Sequence, residues 1–280
     1  MLIMPFVSCK PKGRKMADKP IKILVIPDTQ VKPGVPLEHL TWAGKAIVHY
    51  RPDVVVHLGD HADMASLSSY DAKGSKYFEG KRYHEDIAAA KEGMRLLLAP
   101  LRELQSKWKA TNKKKKYDPR MVFLMGNHEN RINRAINADP ILNGTIGTKD
   151  LEYESNWEVH EFLTPVFIQG VGFNHYWPVG AMRRPAATAA AVINKLHMSC
   201  IAGHQQGKQV AYGQRADGTP LCSIIAGSFY LHEEDYIDHV GNMHWRGLVM
   251  LNEVQDGHFD EMFLSINYLK ERFGDKEEQA

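Results

Sequence analysis

Metal-binding and proton-carrying side chains gather at the ends of five apolar runs. Ile21–Ile26 leads through Pro27 into Asp28-Thr29-Gln30, and Val54–Leu58 into Gly59-Asp60-His61-Ala62-Asp63. Met121–Met125 leads into Gly126-Asn127-His128-Glu129, Phe167–Phe173 into Asn174-His175, and Ser199–Ala202 into Gly203-His204-Gln205-Gln206. Carboxylate, carboxamide and imidazole hold divalent cations, and imidazole also moves protons near neutral pH. Two cations about 3.5–4 Å apart can clamp the attacking and leaving oxygens of a phosphoryl transfer. Such a pair needs a bridging carboxylate, further N and O ligands and a proton source, and this chain carries each type.

These side chains need rigid carriers. Short β-branched runs bounded by Gly and polar residues read as buried strands. In open α/β sheets, ligands gather beyond the carboxyl ends of strands, so five such ends describe one site. After the first strand, Pro33, Gly34 and Pro36 mark a loop and Leu37–Tyr50 reads as a helix, giving a strand–helix–strand unit with a parallel pair. Ser66–Lys81 reads as an irregular loop. Ile87, Met94, Leu97, Leu98, Leu101 and Leu104 then recur at helical spacing, with a kink or break expected at Pro100. Ile132–Ile146 reads as helix plus loop, and Pro185–Leu196 as a helix feeding the Ser199–Ala202 strand. The last third reads as strands Leu221–Phe229, Gly247–Val254 and His258–Ser265, with Asp256-Gly257 as a hairpin turn.

A chain of 280 residues, 44% hydrophobic, can bury one large domain. We expect it to span residues 20–268 with a loop-plus-helix insertion at about 64–118. Residues 1–19 read as a leader outside the fold, with Met16 a candidate second start, and residues 269–280 as a charged, solvated tail. A net charge of +2 gives no global argument for nucleic acid or a membrane surface. The segment Met1–Val7 is too short to span a bilayer. Cys9, Cys200 and Cys222 show no CxxC spacing, which argues against a zinc finger or a disulfide framework and fits a cytoplasmic, reducing location.

Taken in order, the motifs resemble those of the calcineurin-like metallophosphoesterases: D-x-H, G-D-x-x-D, G-N-H-E, a lone His, and G-H-x-H. The likeness runs over roughly Ile21 to Phe229, and Gly227-Ser228 adds to it. It implies a four-layer α-β-β-α sandwich, an α/β fold of two mixed sheets with helices outside and the metal site at the carboxyl ends of strands. It further implies that Asp60 bridges two divalent cations, that Asp28, Gln30 and Gln206 serve the first, and that Asn127, His175 and His204 serve the second. A bridging water would then attack phosphorus in line, with His128 protonating the leaving oxygen and Asp63 orienting that imidazole. Arg131, Arg183 and Arg184, with Lys208, follow motif residues and are candidates for binding substrate phosphate.

The chain departs from the pattern at Gln30 and Gln206, which stand where it has histidines. Amide and carboxylate oxygens suit Mn or Mg, so the first site is expected to prefer these, while Zn, Fe or Ni suits the His-containing second site. Met64 stands where phosphoprotein phosphatases of this family carry Arg. That leaves a phosphomonoester or phosphodiester substrate, a nucleotide or nucleic acid, as the expected partner.

Blander readings accompany several of these residues. Asp28 and Asp60 could cap helices, and His175 could be a hydrogen-bonded core residue. His57, His61 and His84 take no assigned role; His61, beside Asp60, either faces the cleft or is structural, and the structural reading is preferred. Lys107, Lys109 and the Lys113–Lys116 run read as a solvated loop rather than a nucleic-acid track, since no aromatics interleave. Tyr70, Tyr77, Phe78 and Tyr83 form either a lid or a satellite core against the Leu97–Leu104 helix. Two further functions compete with catalysis: a non-catalytic scaffold whose metal site has decayed, and a metal-binding regulator.

Overall fold

The computed structural model describes residues 19–69, 79–111, 116–234 and 239–275. In chain order the first half runs β1 (Ile21–Ile26), α1 (Glu38–Tyr50), β2 (Val54–His57), α2 (Tyr83–Ala110), β3 (Arg120–Leu124), α3 (Asn130–Ala138), β4 (Glu158–His160), β5 (Val166–Ile168) and β6 (Val171–Asn174). It continues through β7 (Pro178–Val179), β8 (Arg184–Pro185), α4 (Ala189–Leu196), β9 (Cys200–Ala202), β10 (Gln209–Gln214) and β11 (Pro220–Ile225). The last elements are α5 (His239–Asn242), β12 (Gly247–Gln255), β13 (His258–Ser265) and α6 (Ile266–Phe273).

The strands form a six-stranded sheet, β13-β12-β1-β2-β3-β4, and a five-stranded sheet, β10-β11-β9-β6-β5, both mixed; β7 and β8 make a separate hairpin. The residues of β1 alternate between two cores. Ile23 and Val25 face the second sheet together with Val56, Leu124, Phe173, Ile201 and Ile224. Leu24 and Ile26 face the opposite way, into a core shared with Leu40, Ile47, Leu97, Leu101 and Leu269 of α1, α2 and α6. A strand covered on both faces must be apolar throughout, which is why its sequence reads as a continuous run. On the far side, Val192 of α4 packs with Cys200, Ala202 and Trp177. The layers are therefore helix, sheet, sheet, helix.

The parallel pairing aligns the ends that matter. Ile26 of β1 sits opposite His57 of β2, and His57 opposite Phe123 of β3. In the second sheet Asn174 of β6 sits opposite Ala202 of β9. The loops carrying Asp28, Asp60 and Asn127 thus leave one sheet at the same edge, and those carrying His175 and His204 leave the other.

Four sequence expectations change. First, Pro100 does not break its helix: α2 runs unbroken from Tyr83 to Ala110. Its ring lies against Gly44 of α1, where an added Cβ would stand 2.8 Å from Pro100 Cδ and 2.3 Å from the Leu97 carbonyl oxygen. Second, Phe167–Phe173 is two antiparallel strands rather than one. Gln169 and Gly170, at φ 48° and 82°, make the reversal. Third, the helix expected from Pro185 begins at Ala189, because Pro185 pairs in β8 and the Thr188 hydroxyl accepts the Ala191 N–H as an N-cap. Fourth, the boundary drawn at 268 falls inside α6, whose Leu269 is fully buried.

Tyr83 begins α2, and its hydroxyl donates to Asp150 Oδ2 at 2.7 Å. Tyr70, Tyr77, Phe78 and Lys113–Lys115 lie outside the described residues, as does the leader through residue 18. Among the described residues no helix is long and apolar enough to cross a membrane.

Candidate active site

The loops beyond β1 and β2 are bound to each other by backbone. Thr29 and Gln30 donate their N–H groups to the Asp60 carbonyl at 3.1 and 3.0 Å, Val31 donates to His61 at 2.7 Å, and Asp63 donates to Val31 at 2.9 Å. This lacing supports unusual backbone. Gln30, Asp60 and His204 sit at φ 44°, 49° and 66°, in the left-handed region that side chains rarely occupy. Each such residue costs on the order of 1–3 kcal/mol, and such positions cluster where side-chain aim matters.

Behind the loops, a run of hydrogen bonds fixes the strand ends from the helix side. Gly59 donates to His57 Nδ1 at 3.2 Å, which leaves the His57 Nε2–H facing Thr29 Oγ1 at 3.3 Å. The Thr29 hydroxyl meets His61 Nδ1 at 2.8 Å, and His61 Nε2 meets the Ala90 carbonyl of α2 at 3.0 Å. Every donor finds one acceptor with both imidazoles neutral. Burial pushes His57 well below the ordinary histidine value and His61 down to about 4. Both residues are structural.

Asp60 is the hub of the pocket. Its Oδ1 accepts the His128 N–H at 2.9 Å, and its Oδ2 lies 3.4 Å from His175 Nε2 and 3.8 Å from His128 Nε2. Burial opposes its charge, but the imidazoles of His128 and His175 outweigh burial and hold its carboxyl well below the usual carboxylate range. One ligand atom from each of Asp60, His175 and His204 lies within 4.8 Å of the other two. His175 Nδ1–H is committed to the Leu58 carbonyl at 2.8 Å, which turns Nε2 to the pocket, where it donates to Asn127 Oδ1 at 2.9 Å and would have its lone pair free for a cation once that proton leaves. Burial lowers His175, yet Asp60 and Asp28 more than compensate and raise it to about 9. Carboxylates that hold a proton this firmly would hold a cation in its place.

Asp28 and Gln30 give the sharpest sign of a missing positive charge. Asp28 Oδ1 accepts the His204 N–H at 3.1 Å, whereas Asp28 Oδ2 and Gln30 Oε1 are buried without a partner among the described residues. Buried acceptors are nearly always satisfied, and leaving one bare costs about 1–3 kcal/mol. Burial and the Asp60 charge push Asp28 up to about 7. A positive charge is what a bare buried oxygen and the raised Asp28 carboxyl both call for, so the residues present fit the implied metal.

His128 and Asp63 form the proton-carrying pair. His128 Nδ1 lies 2.7 Å from Asp63 Oδ1 and 2.9 Å from the Asp63 carbonyl oxygen. Burial lowers the imidazole value, but Asp60 and the Asp63 hydrogen bond raise it to about 9, with Arg131 opposing. Arg131 Nη1 donates to the Asp63 carbonyl at 2.9 Å, and its Nη2 stands 3.3 Å from His128 Nε2. This arginine is therefore built into the wall of the pocket.

The fold thus brings Asp28, Gln30, Asp60, Asp63, Asn127, His128, Arg131, His175 and His204 to one end of the two sheets. Gln206, two residues beyond His204, accepts the Tyr230 hydroxyl at 2.8 Å. Arg183 and Arg184 are exposed at the β7–β8 hairpin, and Lys208 lies over the Trp245 and Phe263 rings at 4.5 and 4.2 Å. Three contributors escaped the sequence reading. Glu129, in the G-N-H-E motif but given no role there, accepts three backbone N–H groups at 2.9 Å, from Asp60, Ala62 and Gly126. Lys32, whose charge helps hold down the Asp63 carboxyl, is paired with Glu234 at 2.8 Å. Tyr230 follows the Gly227-Ser228 pair and is fully buried.

Neither a family model nor a curated protein sequence matches this chain. Solved structures match over most of its length at low similarity. A conserved uncharacterised protein and predicted phosphoesterase from Streptococcus pneumoniae TIGR4 has 11% identity, covers 90% of this chain and 92% of its own, and gives a TM-score of 0.35. The phosphoesterase Yfce from E. coli has 13% identity with coverages of 86% and 98% and a TM-score of 0.35. TT1561 of Thermus thermophilus has 9% identity, coverages of 87% and 99%, and a TM-score of 0.34. At that distance the likeness carries no argument about chemistry, which must come from the pocket itself.

Proposed function

We propose that the pocket is the centre of a metal-dependent phosphoesterase that takes two divalent cations. One observation carries this reading: Asp60, His175 and His204 meet within 4.8 Å of one another, and the His128 Nε2 of the proton-carrying pair stands 3.8 Å from the Asp60 carboxylate. Asp60 would hold both cations, Asp28, Gln30 and Gln206 the first, and Asn127, His175 and His204 the second. When bound, the cations supply Lewis acidity, polarising phosphoryl oxygens and acidifying water. The oxygen-only first set favours Mn or Mg, while the imidazole-bearing second set also accepts Zn, Fe or Ni.

The chain's own residues supply the rest. Asp63 fixes the His128 imidazole through Nδ1, so the transferable proton sits on Nε2 and can pass to a leaving oxygen. Arg131 holds the Asp63 backbone and places a guanidinium beside that imidazole. Gln30, Asp60 and His204 each sit on left-handed backbone, and such positions cluster where a side chain's placement serves function.

The test is turnover of a chromogenic phosphodiester and phosphomonoester with Mn, Mg, Ni or Zn added. The wild type should hydrolyse at least one of them, with Asp60→Ala reducing the rate by about 10²-fold or more, and His128→Ala doing so on esters with a poorer leaving group. No turnover under any metal would leave the non-catalytic scaffold as the better account.

A further inference from the structure

Gln206 stands where an imidazole would be a stronger ligand, and a carboxamide on a loop has more freedom than a ring. In this chain that freedom is removed by Tyr230. Its hydroxyl donates to Gln206 Oε1 at 2.8 Å. An amide oxygen has two lone pairs, so one remains for a cation. The phenol is itself held on every side. The ring stacks on His232 at 4.6 Å with 26° between planes, and the Arg246 guanidinium lies 4.3 Å from its centroid. Arg246 Nη1 also donates to the Tyr230 carbonyl at 3.2 Å.

Behind the hydroxyl sits His244. Its Nδ1–H is committed to the Gly241 carbonyl at 2.7 Å, so Nε2 is an acceptor, facing Ser228 Oγ at 2.8 Å and the Tyr230 hydroxyl at 3.4 Å. A phenol keeps its proton at neutral pH, so the hydroxyl can donate to Gln206. The network reaches the Asp28 backbone. Ser228 pairs with Asp28 across an isolated bridge, and Phe229 donates its N–H to the Asp28 carbonyl at 2.7 Å. Gln206 follows two residues after His204, whose own N–H is bonded to Asp28.

We propose that Tyr230 is a positioning residue for the amide half of the pocket: with His244 and Ser228 behind it, its hydroxyl fixes the Gln206 carboxamide and so sets how tightly that half holds a hard divalent cation. This rests on the two-cation reading above. Groups that orient a metal ligand are worth about 10–100-fold in affinity, so the effect is measurable without any turnover.

The experiment is titration of the full chain with Mn²⁺, followed by electron paramagnetic resonance and calorimetry, in wild type, Tyr230→Phe, Gln206→Ala and the double variant. Two binding steps are expected in wild type. Tyr230→Phe, which keeps the ring and both of its stacking partners, should weaken the looser step by about 10–100-fold and leave the tighter step within about twofold. In the Gln206→Ala background the same change should shift the looser step by less than about twofold, because the group it positions is gone. The proposal is overturned if Tyr230→Phe leaves both steps unchanged, weakens both alike, or acts equally with and without Gln206. If wild type binds fewer than two Mn²⁺ per chain, the two-cation reading falls and takes this proposal with it; two bound Mn²⁺ with no response to Tyr230→Phe would sink the positioning role alone.

Discussion

The Glu129 carboxylate accepts the Asp60 N–H at 2.9 Å, and through that bond a side chain beyond β3 fixes the residue at the end of β2. The same buried carboxylate also takes the N–H groups of Ala62 and Gly126 at 2.9 Å each. Three donors meet two oxygens with no water between. Glu129→Gln replaces one acceptor with an NH₂, so at least one amide then faces another donor. We expect a loss of about 2–4 kcal/mol in urea denaturation, with weaker Mn²⁺ binding because Asp60 is no longer fixed. An unchanged denaturation midpoint would show that the amides find other partners.

Gly126 tests the same junction from the other direction. A Cβ there would stand 2.0 Å from Asp60 Oδ1 and 2.4 Å from the Asp60 nitrogen, and the second of these is backbone that cannot swing aside. Gly126→Ala should therefore displace Asp60, abolish turnover and destabilise the fold by about 3 kcal/mol or more. Gly80→Ala is the control for backbone strain, since φ is +81° and nothing among the described residues lies within 4 Å. It should retain activity and lose only about 1 kcal/mol in the same denaturation assay.

The strands that carry the site were legible because burial on both faces leaves no polar alternation to confuse them, as in β1 and β2. The order of chemical residues at their ends was equally plain. What stayed hidden depends on partners distant in sequence. Gln206 meets Tyr230 only because β10 and β11 return the chain, and nothing local marks either as half of a pair. The β5–β6 reversal escaped notice because Gln169 takes φ 48° in place of the Asn or Asp that announces such turns, whereas Asp256-Gly257 announced its own. Edge strand β10 is half-exposed and begins and ends on Gln with no buried residue between, and α6 buries Leu269 fully within a charged sequence, so neither offers a strong periodic signal.

His39 gives a pH prediction independent of the pocket's ligands. It is buried in α1 against the Phe229 ring, centroids 5.2 Å apart, with neither ring nitrogen partnered among the described residues. Burial, with the charges of His232, His61 and Arg246 adding to it, pushes its value down to about 3. Above the ordinary value of 6.5 the ring is neutral whether folded or unfolded, so it adds no pH dependence there. Below 6.5 only the unfolded chain takes the proton, so stability falls as pH drops toward 3, by up to about 1.4 kcal/mol per unit from this group. His39→Leu should flatten the stability–pH curve between pH 6 and about 4 by roughly one proton in denaturant titrations. A curve of unchanged slope would mean the ring gains its proton in the folded state.

The arginines singled out by sequence should separate into two kinds. Arg131 is tied to the Asp63 carbonyl and stands beside His128, so Arg131→Ala should lower kcat by about tenfold or more. Arg183 and Arg184 are exposed on their hairpin, so replacing either by Ala should change stability by less than about 0.5 kcal/mol. Steady-state kinetics on all three variants decides this. A kcat loss in Arg184→Ala that matched Arg131→Ala would place the hairpin over the pocket.

The His128–Asp63 bond of 2.7 Å predicts how the rate responds to the leaving group. If Nε2 donates its proton as the phosphorus–oxygen bond breaks, the need for that proton grows with the basicity of the departing oxygen. His128→Asn should then cost about 10²–10⁴-fold on an alkyl phosphoester, the usual range for general acid catalysis, and much less on p-nitrophenyl esters, whose leaving group departs as an anion. Asp63→Asn should show the same pattern at smaller amplitude, because the amide can present its NH₂ to Nδ1 and turn the imidazole to the wrong tautomer. The plot of log kcat against leaving-group pKa should be shallow for wild type and steep for both variants. Parallel lines of equal slope would remove His128 from proton transfer and leave it a role in binding the phosphate alone.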